Sequence, residues 1–230
     1  MENRSGLNAE KLSDFGADTR LAGQYPVQNS RLKRAMDLAL VLPLVLFLAP
    51  LLATIFLLLK LLEPGPALFR HERIGRNGQP FMVYKFRTMR IDAAQRLEQL
   101  LARDPMAAAE WQTYHKLRRD PRITGLGQLL RRSSLDELPQ LLNVLRGEMS
   151  VIGPRPVTAS EMQRYGASRP FYMLVKPGIV GLWQVRGRNT LAYSTRVALD
   201  VEYVQTWSLI KDISILFQAV PVVLLARGAF

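Results

Sequence analysis

The sequence predicts an α+β fold, mostly helical, in which one apolar membrane segment precedes a small polar domain with a short β-hairpin. Three observations lead there. Residues 38–59 form a run of 22 positions without a charge. After it, the turn signal Pro64-Gly65-Pro66 leads into two β-prone runs separated by a second, Asn77-Gly78. Residues 92–119 are Ala/Leu/Gln-rich and helical, and several later stretches show helical spacing between proline and glycine breaks.

Composition narrows the partners. Among 230 residues, 31 Lys and Arg face 19 Asp and Glu, a net charge of +12. Such an excess attracts anions: nucleic acid, acidic lipid headgroups or phosphorylated substrates. The absence of cysteine excludes a disulfide framework and any thiolate metal site.

Residues 1–30 are polar and without period, and are expected to form a mostly disordered tail. The apolar run begins too late for a signal peptide. Residues 31–62 are expected to enter the membrane. At 1.5 Å per residue, 22 helical residues cover roughly 33 Å, enough for the hydrocarbon core. Two features oppose a simple span. Pro43 and Pro50 each remove a backbone donor, and Pro50 lies near the middle. Both flanks are basic, with Arg31, Lys33 and Arg34 before and Lys60, Arg70, Arg73 and Arg76 after. Such flanks prefer the cytoplasmic side. If both stay there, the segment is a helix–break–helix hairpin; otherwise it is one transmembrane helix.

From residue 63 to 230 the chain reads as a polar domain. ALFRHERIG and PFMVYKFRTM form the hairpin. Residues 92–119 are helical with a break at Asp104-Pro105, and 125–147 are helical with leucine spacing. GPRP at 153–156 is an extended turn, and 158–166 a short helix. KPGIVGLWQVRGRN at 176–189 is a glycine-punctuated loop with room for a short strand, and 191–207 and 209–227 are helices.

The chemistry centres on Asp136-Glu137 in RRSSLDELPQ. Ser134 with Glu137 three residues later matches a capping box, which would explain both acids as helix-start residues. Pro139 disturbs that reading, because it would strip the Leu135 carbonyl of its partner; a helix beginning nearer Pro139 would leave Asp136 at its mouth. There a carboxylate is expected to keep a low pKa and to serve as a nucleophile toward phosphorus without a general base. Cations remove the repulsion between carboxylate and phosphate. Arg131, Lys85 and Arg87 in YKFRTM, Arg155 in GPRP, and Arg186 and Arg188 in VRGRN are the candidates.

These segments resemble the bacterial sugar transferases, the monotopic polyprenyl-phosphate phosphoglycosyl transferases. The likeness is carried by KRAMD with its apolar run, GPALFRHERIGRNGQPFMVYKFRTM, LLRRSSLDELPQLLNVLRGEMSVIGPRP, KPGIVGLWQVRGRN and LDVEYVQTWSLIKDISIL. It implies that Asp136 attacks the sugar-bearing phosphate of a UDP-sugar, with Mg2+ bound at Asp136, and expels UMP. Undecaprenyl phosphate then takes the phosphosugar, starting exopolysaccharide or glycan assembly. Glu137 is implied as the acidic partner. Lys85, Arg131, Arg188 and Asp212 match other polar positions of the family's site, and Arg155 is implied as a phosphate contact.

The resemblance also implies a re-entrant helix hairpin broken at Pro50 and a catalytic domain facing the cytoplasm at the bacterial inner membrane. Here Ala49 stands where the family has serine. The layout is similar to exopolysaccharide-initiating enzymes, so the expected sugar is a hexose. A homodimer through 92–119 is a further expectation. The alternative is a membrane-anchored basic protein that binds acidic lipid or nucleic acid without catalysis. Nucleic acid is not expected, since the basic residues are dispersed and no zinc finger or RNA-binding signature occurs. No Asp-x-Asp motif is present, and His71 and His115 lack a nucleophile motif.

Overall fold

A computed structural model describes residues 24–114, 117, 119–187 and 191–224. The expectation for the tail falls mostly outside these residues. Part of its end is described. Pro26–Asn29 form a 3-10 turn, Val27 is buried, and the Tyr25 and Phe171 rings lie 5.9 Å apart. Two apolar side chains so close to a core are enough to fix that end.

The apolar run is helix α1, Arg31–Leu62, 32 residues long. No gap interrupts the helix at Ala49-Pro50, where a break was expected. Each proline still leaves a carbonyl one turn earlier without its amide. Thr54 Oγ1 donates to the Pro50 carbonyl at 2.8 Å, a back-bond of the kind that bends helices. Leu42, Leu46, Phe47, Leu57 and Leu61 are exposed, so α1 is not the core helix of a soluble domain. By length and composition it can cross a membrane.

The described residues divide into two compact units, one of 24–47, 70–83 and 140–224, the other of 48–69 and 84–139. Strands β1, Leu68–Ile74, and β2, Pro80–Phe86, pair as the expected hairpin. Asn77 takes a left-handed conformation in its turn.

The second unit continues with α2, Ala93–Arg103, and α3, Pro105–Tyr114, with the break at Asp104-Pro105 where it was expected. Helix α4, Gly125–Arg132, starts on Thr124, whose hydroxyl accepts from the Gly127 amide at 2.9 Å. Gly127 must be glycine, because a Cβ would stand 2.1 Å from the Thr88 carbonyl oxygen. This close approach seats α4 beside the end of β2. The core beneath is Ile55, Leu59, Ala67, Phe86 and Leu130.

In the first unit lie α5, Gln140–Arg146; β3, Ser150–Ile152; α6, Ala159–Gln163; α7, Arg169–Met173; β4, Gly178–Val180; α8, Leu182–Arg186; α9, Tyr193–Gln205; and α10, Leu209–Leu224. Strands β3 and β4 run parallel, with Ser150 opposite Gly178 and Ile152 opposite Val180. The sequence left 150–152 unassigned and allowed a short strand within the 176–189 loop; segments of three residues are too short to show a period. A Cβ on Gly178 would lie 2.1 Å from the Gly153 nitrogen, so the GPRP and KPGIVG loops touch backbone to backbone. The Gly178 amide donates to Pro154 O at 2.7 Å and the Gly153 amide to Val180 O at 2.9 Å. Two apolar clusters flank them. One is Ile152, Leu174, Val175, Leu182, Tyr203, Val204 and Ile215, and the other Ile74, Val157, Met162, Tyr165, Tyr172, Met173 and Val197.

Candidate active site

The 125–147 stretch is not one helix. After α4 the chain turns through Ser134, which is left-handed at φ 58°, into a 3-10 turn, Leu135–Glu137. Helix α5 begins only after Pro139. Ser134 makes no side-chain cap, so the expected capping box is absent. The reason is Pro139: an α-helix through it would clash with the Leu135 carbonyl, whereas a 3-10 turn bonds Leu138 N to that oxygen at 3.2 Å. The two acids therefore sit on a tight turn between two helices.

Four expected residues meet in the second unit. Lys85, near the end of β2, puts Nζ 2.5 Å from Glu137 Oε1, each side chain about a quarter exposed. Arg131, at the end of α4, donates Nε to Thr88 Oγ1 at 2.8 Å. Burial holds the Arg131 guanidinium below its usual range, while Asp136 and Asp120 pull it back up.

Asp136 is half-buried rather than exposed at a helix mouth. Its carboxyl lies above the ordinary aspartate range, contrary to the expectation of a low value. Burial is the main cause and the neighbouring Glu137 charge the second; Lys85 and Arg131 oppose both. The 3-10 turn offers too few free amides to offset that burial. The result is a carboxylate of raised basicity facing two cations, suited to attack an electrophilic phosphorus.

Other candidates fall elsewhere. Arg155 belongs to the first unit, on the GPRP loop, where its charge bears on Arg73 and Glu161. Arg186 pairs with Glu202 at 2.9 Å on a solvated surface. Arg87 is buried and donates Nη2 to Glu63 O at 3.3 Å, just past the end of α1. Arg188 lies outside the described residues. Asp212 is wholly buried in the first unit. It accepts from Lys33 Nζ at 2.6 Å, Tyr203 Oη at 2.8 Å and Trp207 Nε1 at 3.0 Å. Its carboxylate is thus engaged by protein donors and ties the root of α1 to α10.

Sequence reading passed over Thr88 and took Lys33 only as a basic flank. Thr88 stands in the YKFRTM block, where a hydroxyl near Lys85 was the available signal. Lys33 gave none, since its partner is 179 residues away.

The chain matches the family model described as bacterial sugar transferase over residues 28–226. It is 46% identical over 198 residues to the exopolysaccharide production protein ExoY of Sinorhizobium fredii, covering 86% of this chain and 88% of that protein. It is 46% identical over 213 residues to the undecaprenyl-phosphate galactose phosphotransferase of Salmonella typhimurium. That alignment takes in 92% of this chain but only 44% of the longer relative. The UDP-glucose:undecaprenyl-phosphate glucose-1-phosphate transferase of Caulobacter vibrioides is 40% identical over 231 aligned residues, 94% of this chain and 81% of that protein. With an acid–cation cluster suited to phosphoryl chemistry and a family match across nearly its whole length, the chain belongs to the bacterial sugar transferases and is an enzyme.

Proposed function

We propose that the enzyme transfers a hexose-1-phosphate from a UDP-sugar to undecaprenyl phosphate and so initiates exopolysaccharide assembly. The observation that carries the mechanism is Asp136: half-buried, raised in basicity, and faced by Lys85 and Arg131. An Asp136 oxygen attacks the phosphorus bearing the sugar. The bond from that phosphorus to the bridging oxygen breaks, and UMP leaves with the electron pair. An oxygen of the lipid phosphate then attacks the same phosphorus, the acyl phosphate bond breaks, and the Asp136 carboxylate is regenerated. One diphosphate linkage replaces another, so no ATP is required.

Glu137 holds Lys85 at 2.5 Å and by its charge raises the basicity of Asp136. Arg131, fixed through Thr88, offers its remaining N–H groups to phosphate oxygens. Relatives named for galactose and for glucose transfer support a hexose donor.

Among the described residues no group of three or more His, Cys, Asp or Glu side chains is placed to hold a metal ion. Mg2+ nonetheless fits the donors present, because it commonly takes one or two carboxylates together with substrate phosphates. Asp136, with Glu137 beside it, would hold it. When bound, Mg2+ neutralises phosphate charge as the leaving group departs.

Helix α1 enters the cytoplasmic face of the inner membrane and returns. At 32 residues it would be about 48 Å long if straight, well beyond a 30 Å hydrocarbon core. Basic residues precede and follow its apolar run, Arg31, Lys33 and Arg34 before and Lys60, Arg70, Arg73 and Arg76 after, and such flanks favour the cytoplasmic side. The Thr54–Pro50 back-bond supplies a bend point. On α10, Ile210, Ile213, Phe217 and Val220 leave an exposed apolar stripe that suits the lipid surface.

Intact-mass spectrometry of donor-saturated, rapidly quenched enzyme tests the mechanism. A hexose-phosphate adduct that vanishes on adding undecaprenyl phosphate is expected. Brisk UMP release with no adduct at any quench time would remove the covalent step.

A further inference from the structure

Outside the Asp136 cluster, a second group of cations gathers in the first unit. Three separate elements supply it: Arg34 from the first turn of α1, Arg76 from the turn between β1 and β2, and Lys176 from the KPGIVG loop. Arg34 donates Nη1 to Val144 O at 2.5 Å and Nη2 to Leu145 O at 2.9 Å, which caps α5 and fixes its guanidinium. Lys176 is anchored by its backbone neighbours, since the Ser150 amide donates to Pro177 O at 2.9 Å. Lys176 Nζ and Arg34 Nη2 lie 3.4 and 3.8 Å from the point where a Cβ on Gly147 would stand. Gly147 is left-handed at φ 79° and carries no side chain to separate them.

The Lys176 ammonium is half-buried and makes no hydrogen bond or ion pair among the described residues. Burial, Arg34 and Arg76 lower its proton affinity, and Asp37 alone counters them. Asp37 is itself committed, accepting from Ser150 Oγ at 2.9 Å and the Val151 amide at 3.0 Å. Cations crowded on separate elements repel one another, and an anion of matching shape relieves that repulsion.

We propose that Arg34, Arg76 and Lys176 form a binding site for the phosphate of an anionic membrane lipid, distinct from the Asp136 site. Arg34 lies four residues before the apolar run of α1, and Leu32 beside it is exposed, so the cluster stands where that helix leaves the bilayer. Headgroup phosphates occupy this depth and carry the charge the cluster lacks. The site rests on the membrane placement of α1 and is independent of the phosphoryl chemistry.

The test uses the full chain in neutral detergent micelles, with phosphatidylglycerol, phosphatidylcholine or inorganic phosphate added, and reads the melting temperature. Lys176→Gln is expected to melt at or above the parent in neutral micelles, since a like charge is gone. Phosphatidylglycerol is expected to raise the parent's melting temperature by several degrees, and the Lys176→Gln value by roughly threefold less. Lys176→Arg should keep the full shift. An equal shift in parent and Lys176→Gln would overturn the site. So would Lys176→Gln melting below the parent in neutral micelles, because its charge would then already be compensated by protein. If inorganic phosphate alone reproduces the whole shift, lipid is not the occupant. Flotation with phosphatidylcholine vesicles checks α1 separately; failure to float with any vesicle overturns both the membrane placement and the lipid site.

Discussion

Two aspartates, one in each unit, show how differently this chain treats a buried charge. Asp212 is fully enclosed and meets a lysine, a tyrosine and a tryptophan donor. Asp136 is half-enclosed, stands beside another acid, and has cations near it that do not offset its burial. A charge whose hydrogen bonds are complete holds architecture in place. One left short of partners keeps its basicity available for a reaction, at some cost in stability.

Substitution at each aspartate tests this contrast most sharply. Asp136→Asn should reduce UMP release by roughly a thousandfold or more while the protein melts no lower than the parent. If its melting temperature falls by many degrees, Asp136 is a structural residue and the contrast collapses. Asp212→Asn should do the reverse. It strands Lys33 in the interior and should cost about 3–5 kcal/mol, read as a lower midpoint in denaturant. Pairing it with Lys33→Met should recover much of that loss; no recovery would mean the ion pair is not what Asp212 supplies.

Arg131→Ala comes next. It should lower kcat/KM by about tenfold to a hundredfold, with little change in melting temperature. A drop under about threefold would place Arg131 outside the chemistry.

The smallest effect concerns a third acid. Asp200, on the buried face of α9, accepts a hydrogen bond from Tyr165 Oη at 2.7 Å, and its other oxygen has no partner among the described residues. Burial pushes its carboxyl up to about 7 despite that bond. The folded state therefore holds a proton that the unfolded chain releases at ordinary aspartate pH. This contribution to stability is complete below the unfolded value and is lost as pH rises toward about 7. Denaturation at about pH 5 and about pH 8 should show greater stability at the lower pH, and Asp200→Asn should shrink the difference. An unchanged difference would assign the dependence to another group.

Much of the fold was legible because it is local. The apolar run, the Asn77-Gly78 hairpin, the break at Asp104-Pro105 and the last two helices each carry their signal within a few residues. The short parallel pair β3–β4 was hidden, because three residues show no period and their pairing depends on a distant glycine. Capping chemistry gives a finer lesson. Ser134 and Glu137 have the right spacing but form no box, whereas Thr158 and Glu161, at the same spacing, form one. The difference is Pro139, which forces a 3-10 turn and brings Asp136 into a partly buried setting. The carboxylate pair was thus visible as a candidate site, but the direction of the Asp136 shift was not. Burial depends on packing that local spacing does not encode. Asp212 was likewise visible as a polar position, while its enclosure by Lys33, Tyr203 and Trp207 required the fold.

The contact between Gly153 and Gly178 has a mechanical consequence. With two backbones pressed together and cross-bonded, the strand of chain presenting Arg155 and the strand presenting Lys176 form a single stiff clasp. Neither can be re-aimed alone. A methyl group added at either glycine would force the clasp open and misdirect both cations at once, without touching either of them.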